Sequence, residues 1–95
     1  MKSLALKMNN EKLVRISVEK EGRNIKNINI SGDFFIHPEN GICLLEEAIT
    51  GQEIKSDCLK EALNKIVKEN NLELIGISTD TIVYGIIEVG ECYEK

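Results

Sequence analysis

The sequence of 95 residues has no tryptophan, two phenylalanines, two tyrosines, one proline and one histidine. Twelve Lys and Arg stand against sixteen Asp and Glu, which leaves a formal charge of −4. A nucleic-acid binder normally concentrates basic and aromatic side chains on one surface, so this composition disfavours a nucleic-acid partner. No apolar run approaches the roughly 18 residues of a membrane span, and we expect neither a membrane segment nor a signal peptide.

Cysteine is also sparse, with three residues at irregular spacing and no CxxC pair. This pattern disfavours a disulfide framework and predicts a reducing, cytoplasmic location. The length predicts a single domain that spans residues 1–95. A chain of this size has little room for a substrate pocket walled on all sides.

Alternating apolar and polar residues in the first third predict three β-strands. The apolar positions are Leu4, Leu6 and Met8 in the first strand, Val14, Ile16 and Val18 in the second, and Ile28 and Ile30 in the third, whose pattern continues through Gly32 to Phe34. Short polar connections, such as Glu21-Gly22, favour an antiparallel meander with one apolar and one solvated face. The open edge of such a sheet makes a homodimer of the isolated chain plausible.

The remainder predicts three helices, because its apolar residues recur at intervals of three and four. Pro38 suits the first position of helix one, Ser56 or Asp57 caps helix two, and Ser78 or Thr79 caps helix three. The predicted ends are Gly51, Asn70-Asn71 and Gly90, and residues 72–77 are interpreted as an apolar link. Strands followed by helices predict an α+β fold, with a three-stranded antiparallel sheet and three helices packed over one face.

The chain lacks the residues of a self-sufficient active site. Its seven glycines are never adjacent or two apart, so no glycine-rich phosphate loop is present. His37 could be a general base or a ligand, but it is interpreted as a polar residue before a proline at a strand-to-helix corner. Cys43, Cys58 and Cys92 are interpreted as structural or incidental, and their spacing predicts no metal site, although one could form through space. Cys58, near a helix start, could be reactive, but no partner base accompanies it. Carboxylate pairs such as Glu46-Glu47 are interpreted as solvated surface.

The segment from Ile28 to Pro38 contains both phenylalanines, side by side. In a continuing strand, Phe34 and Phe35 would point to opposite faces, so one would enter the core and the other would face solvent or a partner. Alternatively, the strand ends at Asp33 and both rings pack under the first helix. Gly32 fits a bulge or a close backbone approach, and Asp33 could accept backbone N–H groups or face a cation.

These residues carry a resemblance to a known family. Ser31-Gly32-Asp33-Phe34-Phe35, followed by Pro38-Glu39 and by a helix ending at Gly51, resembles the C-terminal accessory domain of lipoate–protein ligases. The stretch Ile75-Gly76-Ile77-Ser78 is similar to the entry of that domain's last helix. The resemblance extends from about Lys12 to Glu88, and its most specific part is the Gly-Asp-Phe-Phe corner.

The resemblance implies an accessory subunit of a two-chain lipoate–protein ligase, not a catalyst by itself. In the family, a separate catalytic chain or domain binds lipoate, ATP and Mg, forms lipoyl-AMP and transfers lipoyl to a lysine of an acceptor domain. The family's Arg-Arg and glycine-triplet motif and its catalytic lysine motif are absent from this sequence. We expect no cofactor on this chain, and contact with the catalytic chain through Gly32, Asp33, Phe34, Phe35, His37 and Pro38.

Two other classes of function stay open. The family's fold resembles that of iron–sulfur scaffold proteins, which carry a reactive cysteine in a Cys-Gly-Asp corner. Here the corresponding residues are Ser31-Gly32-Asp33, and a serine hydroxyl is a poor iron ligand compared with thiolate. A generic α+β interaction or ligand-sensing module is the third interpretation.

Overall fold

The chain forms eight secondary-structure elements in a computed structural model that describes the backbone of residues 2–93 and the side chains of residues 2–90. In chain order they are β1 (Lys2–Leu6), β2 (Val14–Glu21), β3 (Asn24–Gly32), β4 (Phe35–His37), α1 (Gly41–Ile49), α2 (Ser56–Asn70), β5 (Glu73–Ile75) and α3 (Thr79–Tyr93). This composition confirms the α+β prediction.

Strands β1, β2 and β3 form the predicted three-stranded antiparallel sheet, with β2 in the centre. Val14, Ile16 and Val18 are fully buried, and the intervening residues of β2 are not. Ile16 and Val18 lie opposite Ile30 and Ile28 of β3, so cross-strand apolar pairs line the core. The period-two pattern therefore identified the buried residues of β2 correctly, together with Ile28 and Ile30 of β3. In the first strand the prediction is wrong for Met8, because β1 ends at Leu6 and Met8 is 40% exposed.

Strand β3 begins earlier than its alternation predicted, because a bulge interrupts the pattern. Glu19 pairs with Asn27, but the next pair joins Lys20 to Ile25, so Lys26 is an extra residue in β3. An extra residue reverses the sheet face toward which the side chains on its far side point. Ile25 and Ile28 are therefore both buried although they are three positions apart.

The prediction that β3 continues through Gly32 to Phe34 is wrong. The strand ends at Gly32, and residues Phe35–His37 form β4, which pairs with β5 in a separate two-stranded antiparallel sheet. The segment interpreted as an apolar link contains β5. Strands of three residues hold too few alternations for a sequence pattern to detect, and the partner of β4 lies far along the chain.

Helix α1 begins at Gly41 and not at Pro38, which corrects the predicted start. The Gly41 N–H donates to the Pro38 carbonyl (2.8 Å), so residues 38–41 close a turn before the helix. The peptide bond before Pro38 is cis, and His37 is extended as predicted.

The caps of the other helices are partly as predicted. Helix α2 takes Lys55 as its N-cap residue without a side-chain cap bond, so neither Ser56 nor Asp57 caps it. Its predicted end is confirmed by Asn71, which adopts a left-handed conformation. Ser78 caps α3 by accepting the Thr81 N–H (3.2 Å).

Helix α3 continues through Gly90 to Tyr93, so the predicted end at Gly90 is wrong. Gly90 is buried beside Ile54, which gives this glycine a packing position inside the helix. The side chain of Cys92 and the tail beyond Tyr93 lie outside the described residues.

The helices and the sheet enclose one apolar cluster. Helix α3 contacts β1 and β2, α1 contacts β3 and β4, and α2 contacts α1 and α3. The cluster includes Leu45 and Ile49 of α1, Leu59 and Leu63 of α2, and Ile82 and Ile86 of α3. Two of the predictions about the fold stay predictions. One is that all three helices lie over one face of the sheet, and the other is that the fold is similar to that of iron–sulfur scaffold proteins. Within residues 2–93, no helix combines the length and apolar character that crossing a bilayer requires.

The outer edge of β3 is covered by groups from α1 and the loop that follows it. Glu46 Oε2 accepts the Ile30 N–H (2.7 Å), the Gln52 carbonyl accepts the Ile25 N–H, and the Gly51 N–H donates to the Ile25 carbonyl. The interpretation of Glu46 as solvated surface is therefore wrong, because its carboxylate satisfies the sheet edge. The other edge strand of this sheet is β1.

We expect Glu46→Ala to lower the free energy of unfolding by about 1–3 kcal/mol, because the Ile30 N–H would lose its acceptor in a partly buried position. Urea unfolding followed by circular dichroism measures this difference. The matched control is Glu47→Ala, which removes the neighbouring, exposed carboxylate of the same helix. Equal stability of the two variants would contradict the assigned role of Glu46.

Candidate partner-binding site

The corner between β3 and β4 is a close approach of two backbone segments. A Cβ on Gly32 would overlap the carbonyl oxygen of Leu13, and the Asp33 N–H donates to that same oxygen (2.9 Å). The φ of Gly32 is +153°, which other residues rarely adopt. The predicted close backbone approach at Gly32 is confirmed, and it fixes where the following phenylalanines lie.

The two phenylalanines have opposite environments. Phe34 is 6% exposed and belongs to the core, whereas Phe35 is 70% exposed. Of the two alternatives left open by the sequence, one ring buried and one ring outward is the observed arrangement. Because its ring is covered by this chain, Phe34 supports the corner from within and is not a surface that a partner could contact.

Strands β4 and β5 place a second apolar side chain beside Phe35. Phe35 lies opposite Ile75, and His37 lies opposite Glu73, so alternation puts these four side chains on one face of the small sheet. All four are exposed, and Ile75 is 49% exposed. Between them, Ile36 faces the core. We call the face formed by Phe35, His37, Glu73 and Ile75 the ribbon face.

Sequence reasoning missed the contribution of β5 to this surface. Glu73, Leu74 and Ile75 do alternate in exposure, but three residues between a helix end and a glycine give no distinctive pattern. A possible signal was the isolated position of Ile75 just before Gly76, outside the helical stripe of α2. Without knowledge of the pairing with β4, nothing in the sequence joins Ile75 to Phe35.

Hydrogen bonds hold the end of β5 to the loop before β2. The Lys12 N–H donates to the Gly76 carbonyl (2.7 Å), and the hydroxyl of the buried Thr81 donates to Glu11 Oε1 (2.6 Å). Ser78 Oγ lies 3.0 Å from Thr81 Oγ1 and extends this network to the start of α3. The ribbon face is therefore anchored through both Ile36 and the loop of residues 11–12.

Exposed carboxylates lie on the ribbon face and on either side of β4 in the chain. Asp33 precedes β4, Glu39 follows it, and Glu73 lies on the face itself, all of them exposed. Within the described side chains, the Asp33 carboxylate makes no hydrogen bond, and its backbone N–H is the group that joins the corner. Pro38 is also exposed and borders the face beside His37. The predicted contact residues other than Phe34 are thus at the surface.

The cysteines lie away from this corner in the sequence and on other elements. Cys43 is exposed on α1, and Cys58 is half-buried in a groove of about 440 Å³ whose lining includes Ala48, Ala62 and Ile66. In the part of the chain with described side chains, no three His, Cys, Asp or Glu residues are grouped as metal ligands. Chemically, the ribbon face offers apolar contact and negative charge, which suit binding to another macromolecule.

The sequence over residues 13–86 matches the model of the family described as bacterial lipoate protein ligase C-terminus. Because this match covers most of the chain, the protein belongs to that family, and the resemblance noted from the Gly32–Phe35 corner is confirmed.

Two relatives make the comparison more specific. The chain is 39% identical over 57 residues to "Lipoate-protein ligase A subunit 2" of Thermoplasma acidophilum, a match that covers 60% of this chain and spans 54% of that relative's length. A solved structure from an analysis of an archaeal lipoylation system, with a bi-partite lipoate protein ligase and its E2 lipoyl domain from Thermoplasma acidophilum, superposes with a TM-score of 0.73. That superposition covers 88% of this chain and 96% of the other, at 23% identity, and shows a shared fold.

Proposed function

We propose that this protein is the accessory subunit of a two-chain lipoate–protein ligase. The observation that carries the proposal is the family match over residues 13–86, which extends from β2 to the middle of α3. The archaeal relative is itself a second subunit of a ligase by its name. The exposed apolar pair Phe35 and Ile75 on the ribbon face supports the proposal, because a subunit that acts through a partner needs a surface for contact.

The proposed mechanism is stabilisation of one conformation of the catalytic chain. Lipoate, ATP and Mg would be bound by that chain, which forms lipoyl-AMP, and none of them by this subunit. Docking would favour the conformation closed over both substrates, because closure excludes water and orders the loops that align the reacting groups. The thermodynamic requirement is that this subunit binds the closed conformation more tightly than the open one.

The proposed contact is the corner and the residues that follow it. Asp33, Phe35, His37 and Pro38 are exposed there, and Gly32 allows the close turn that presents them. Lipoyl-acceptor domains would be met only indirectly, through the catalytic chain. The proposed location is the cytoplasm, and a homodimer of the isolated chain would use the edge of β1.

The test is lipoyl-AMP formation by the separate catalytic ligase chain of the same genome, with and without this protein. We expect the rate to rise by at least about tenfold on mixing, which corresponds to ~1.4 kcal/mol of activation free energy. Size-exclusion chromatography of the mixture should show a complex. An unchanged rate together with no complex would contradict the proposed function. The similarity to the ligase family would then be one of fold only.

A further inference from the structure

Two of the most exposed large apolar side chains of the described residues are cross-strand partners. Phe35 and Ile75 lie directly opposite each other in the β4–β5 sheet, at 70% and 49% exposure. Paired apolar side chains on a strand face form a continuous patch, whereas isolated exposed ones such as Tyr84 are ordinary on a protein surface. This patch is the part of the surface best suited to burial against another protein.

The patch is held in place before any partner binds. On the reverse side of the same strands, Ile36 is buried in the core, and Gly76 is bonded to Lys12 directly after β5. Side chains on an already ordered backbone lose less conformational entropy on association. More of the favourable free energy of burying them therefore contributes to affinity. Aromatic side chains are typical of the residues that dominate binding energy.

The charges around the patch indicate the chemistry of the partner. Glu73 lies on the ribbon face itself, and the exposed Asp33 and Glu39 flank β4 in the chain; we call these three carboxylates the acidic rim. Lys12 is exposed in the adjoining loop, which is bonded to Gly76. A second copy would bring the same acidic rim against itself, at a cost in like-charge repulsion. A partner with basic side chains around an apolar pocket would gain both burial and charge pairing.

We propose that Phe35 and Ile75 together are the anchors by which this subunit docks on the catalytic ligase chain, and that the catalytic chain presents an apolar pocket rimmed by Lys or Arg. This inference rests on the proposed function, and it adds Ile75 and the acidic rim to the site. Phe35 fills the pocket, Ile75 covers its side, and Glu73 faces the basic rim. The interface therefore depends on β5 as much as on the corner after β3.

The test measures binding of the catalytic chain to the wild-type subunit and to Phe35→Ala, Ile75→Ala and Glu73→Lys by surface plasmon resonance, which gives both the affinity and the association rate. We expect each alanine variant to weaken binding by about 10- to 100-fold. Glu73→Lys should slow association and weaken the dependence of binding on salt concentration. The matched control is Tyr84→Ala, which removes an exposed aromatic ring from α3 and should change affinity by less than about twofold.

Circular dichroism and urea unfolding of each variant separate lost contact from lost fold. If both alanine variants bind and activate the catalytic chain as well as the wild type does, the proposed docking surface is wrong, whereas the proposed function is not contradicted. A wild-type subunit that neither binds nor activates would overturn both. The wild-type subunit could also form a homodimer that the Phe35→Ala and Ile75→Ala substitutions dissociate, while both variants still bind the ligase. That result would assign the patch to a second copy of this chain and would also overturn the inference.

Discussion

Gly32→Ala is expected to lower the free energy of unfolding by at least about 3 kcal/mol, a large part of the stability of so small a domain. The added Cβ would overlap the carbonyl oxygen of Leu13, a backbone atom that cannot move aside as a flexible side chain can. That same oxygen accepts the Asp33 N–H, so relief of the overlap would also disturb the hydrogen bond that holds the corner. The φ of +153° adds to the cost. Urea denaturation gives the difference directly.

Gly22→Ala is the matched control for this prediction. Gly22 has a φ of +63° in the turn between β2 and β3, and a Cβ there would have no neighbour within 4 Å. Its substitution should cost about 1 kcal/mol, the penalty of a left-handed alanine alone. The difference between the two variants isolates the overlap with Leu13. If Gly32→Ala were no more destabilising than Gly22→Ala, the close approach at the corner would be refuted.

The elements that sequence reasoning found are those whose periodicity extends over several residues. Val14, Ile16 and Val18 alternate without interruption, and α2 repeats its apolar stripe from Leu59 to Val67, so both patterns are unambiguous. The start of β3 was missed because the bulge at Lys26 reverses the alternation. The end of α3 was missed because a glycine inside a helix and a glycine after one are alike in sequence.

The candidate site was predictable only where its determinants are local. The Gly-Asp-Phe-Phe corner stands out in the sequence, but alternation would place one ring outward only in a continuing strand, and the alternative with both rings under α1 stayed open. Which ring faces out depends on where β3 ends, and that end is set by the contact between Gly32 and Leu13. Ile75 and Glu73 join the site through pairing with β4, a long-range contact that no local pattern records.

The proposed function was accessible through family resemblance and not through the chemistry of the residues. Without a phosphate loop or a catalytic constellation in the sequence, the residues of this chain pointed to binding, which many unrelated folds share. The specific match came from the corner, where a glycine needed for backbone approach precedes a buried and an exposed aromatic ring. The residues that determine the structure of the corner are therefore the same ones that form the Gly-Asp-Phe-Phe motif of the family.

Phe34→Ala is expected to destabilise the chain by about 3–5 kcal/mol, since it removes a buried aromatic ring and leaves a cavity in the core. The thermal midpoint should fall by roughly 4–8 °C for each kcal/mol lost. Differential scanning calorimetry measures the shift. Because the ring of Phe34 is covered by this chain, any loss of ligase activation in this variant should follow the unfolded fraction.

The adjacent substitution Phe35→Ala provides the comparison that separates fold from contact. With a 70% exposed ring, it should change the free energy of unfolding by no more than about 0.5 kcal/mol. Its effect should instead appear as weaker binding to the catalytic chain, with activation recovered when the subunit is supplied in excess. The two substitutions would thus reduce ligase activation for different reasons: Phe34→Ala by lowering the stability of the fold, and Phe35→Ala by lowering the affinity for the catalytic chain. If Phe35→Ala were as destabilising as Phe34→Ala, both rings would have structural roles, and the outward placement of Phe35 would be wrong.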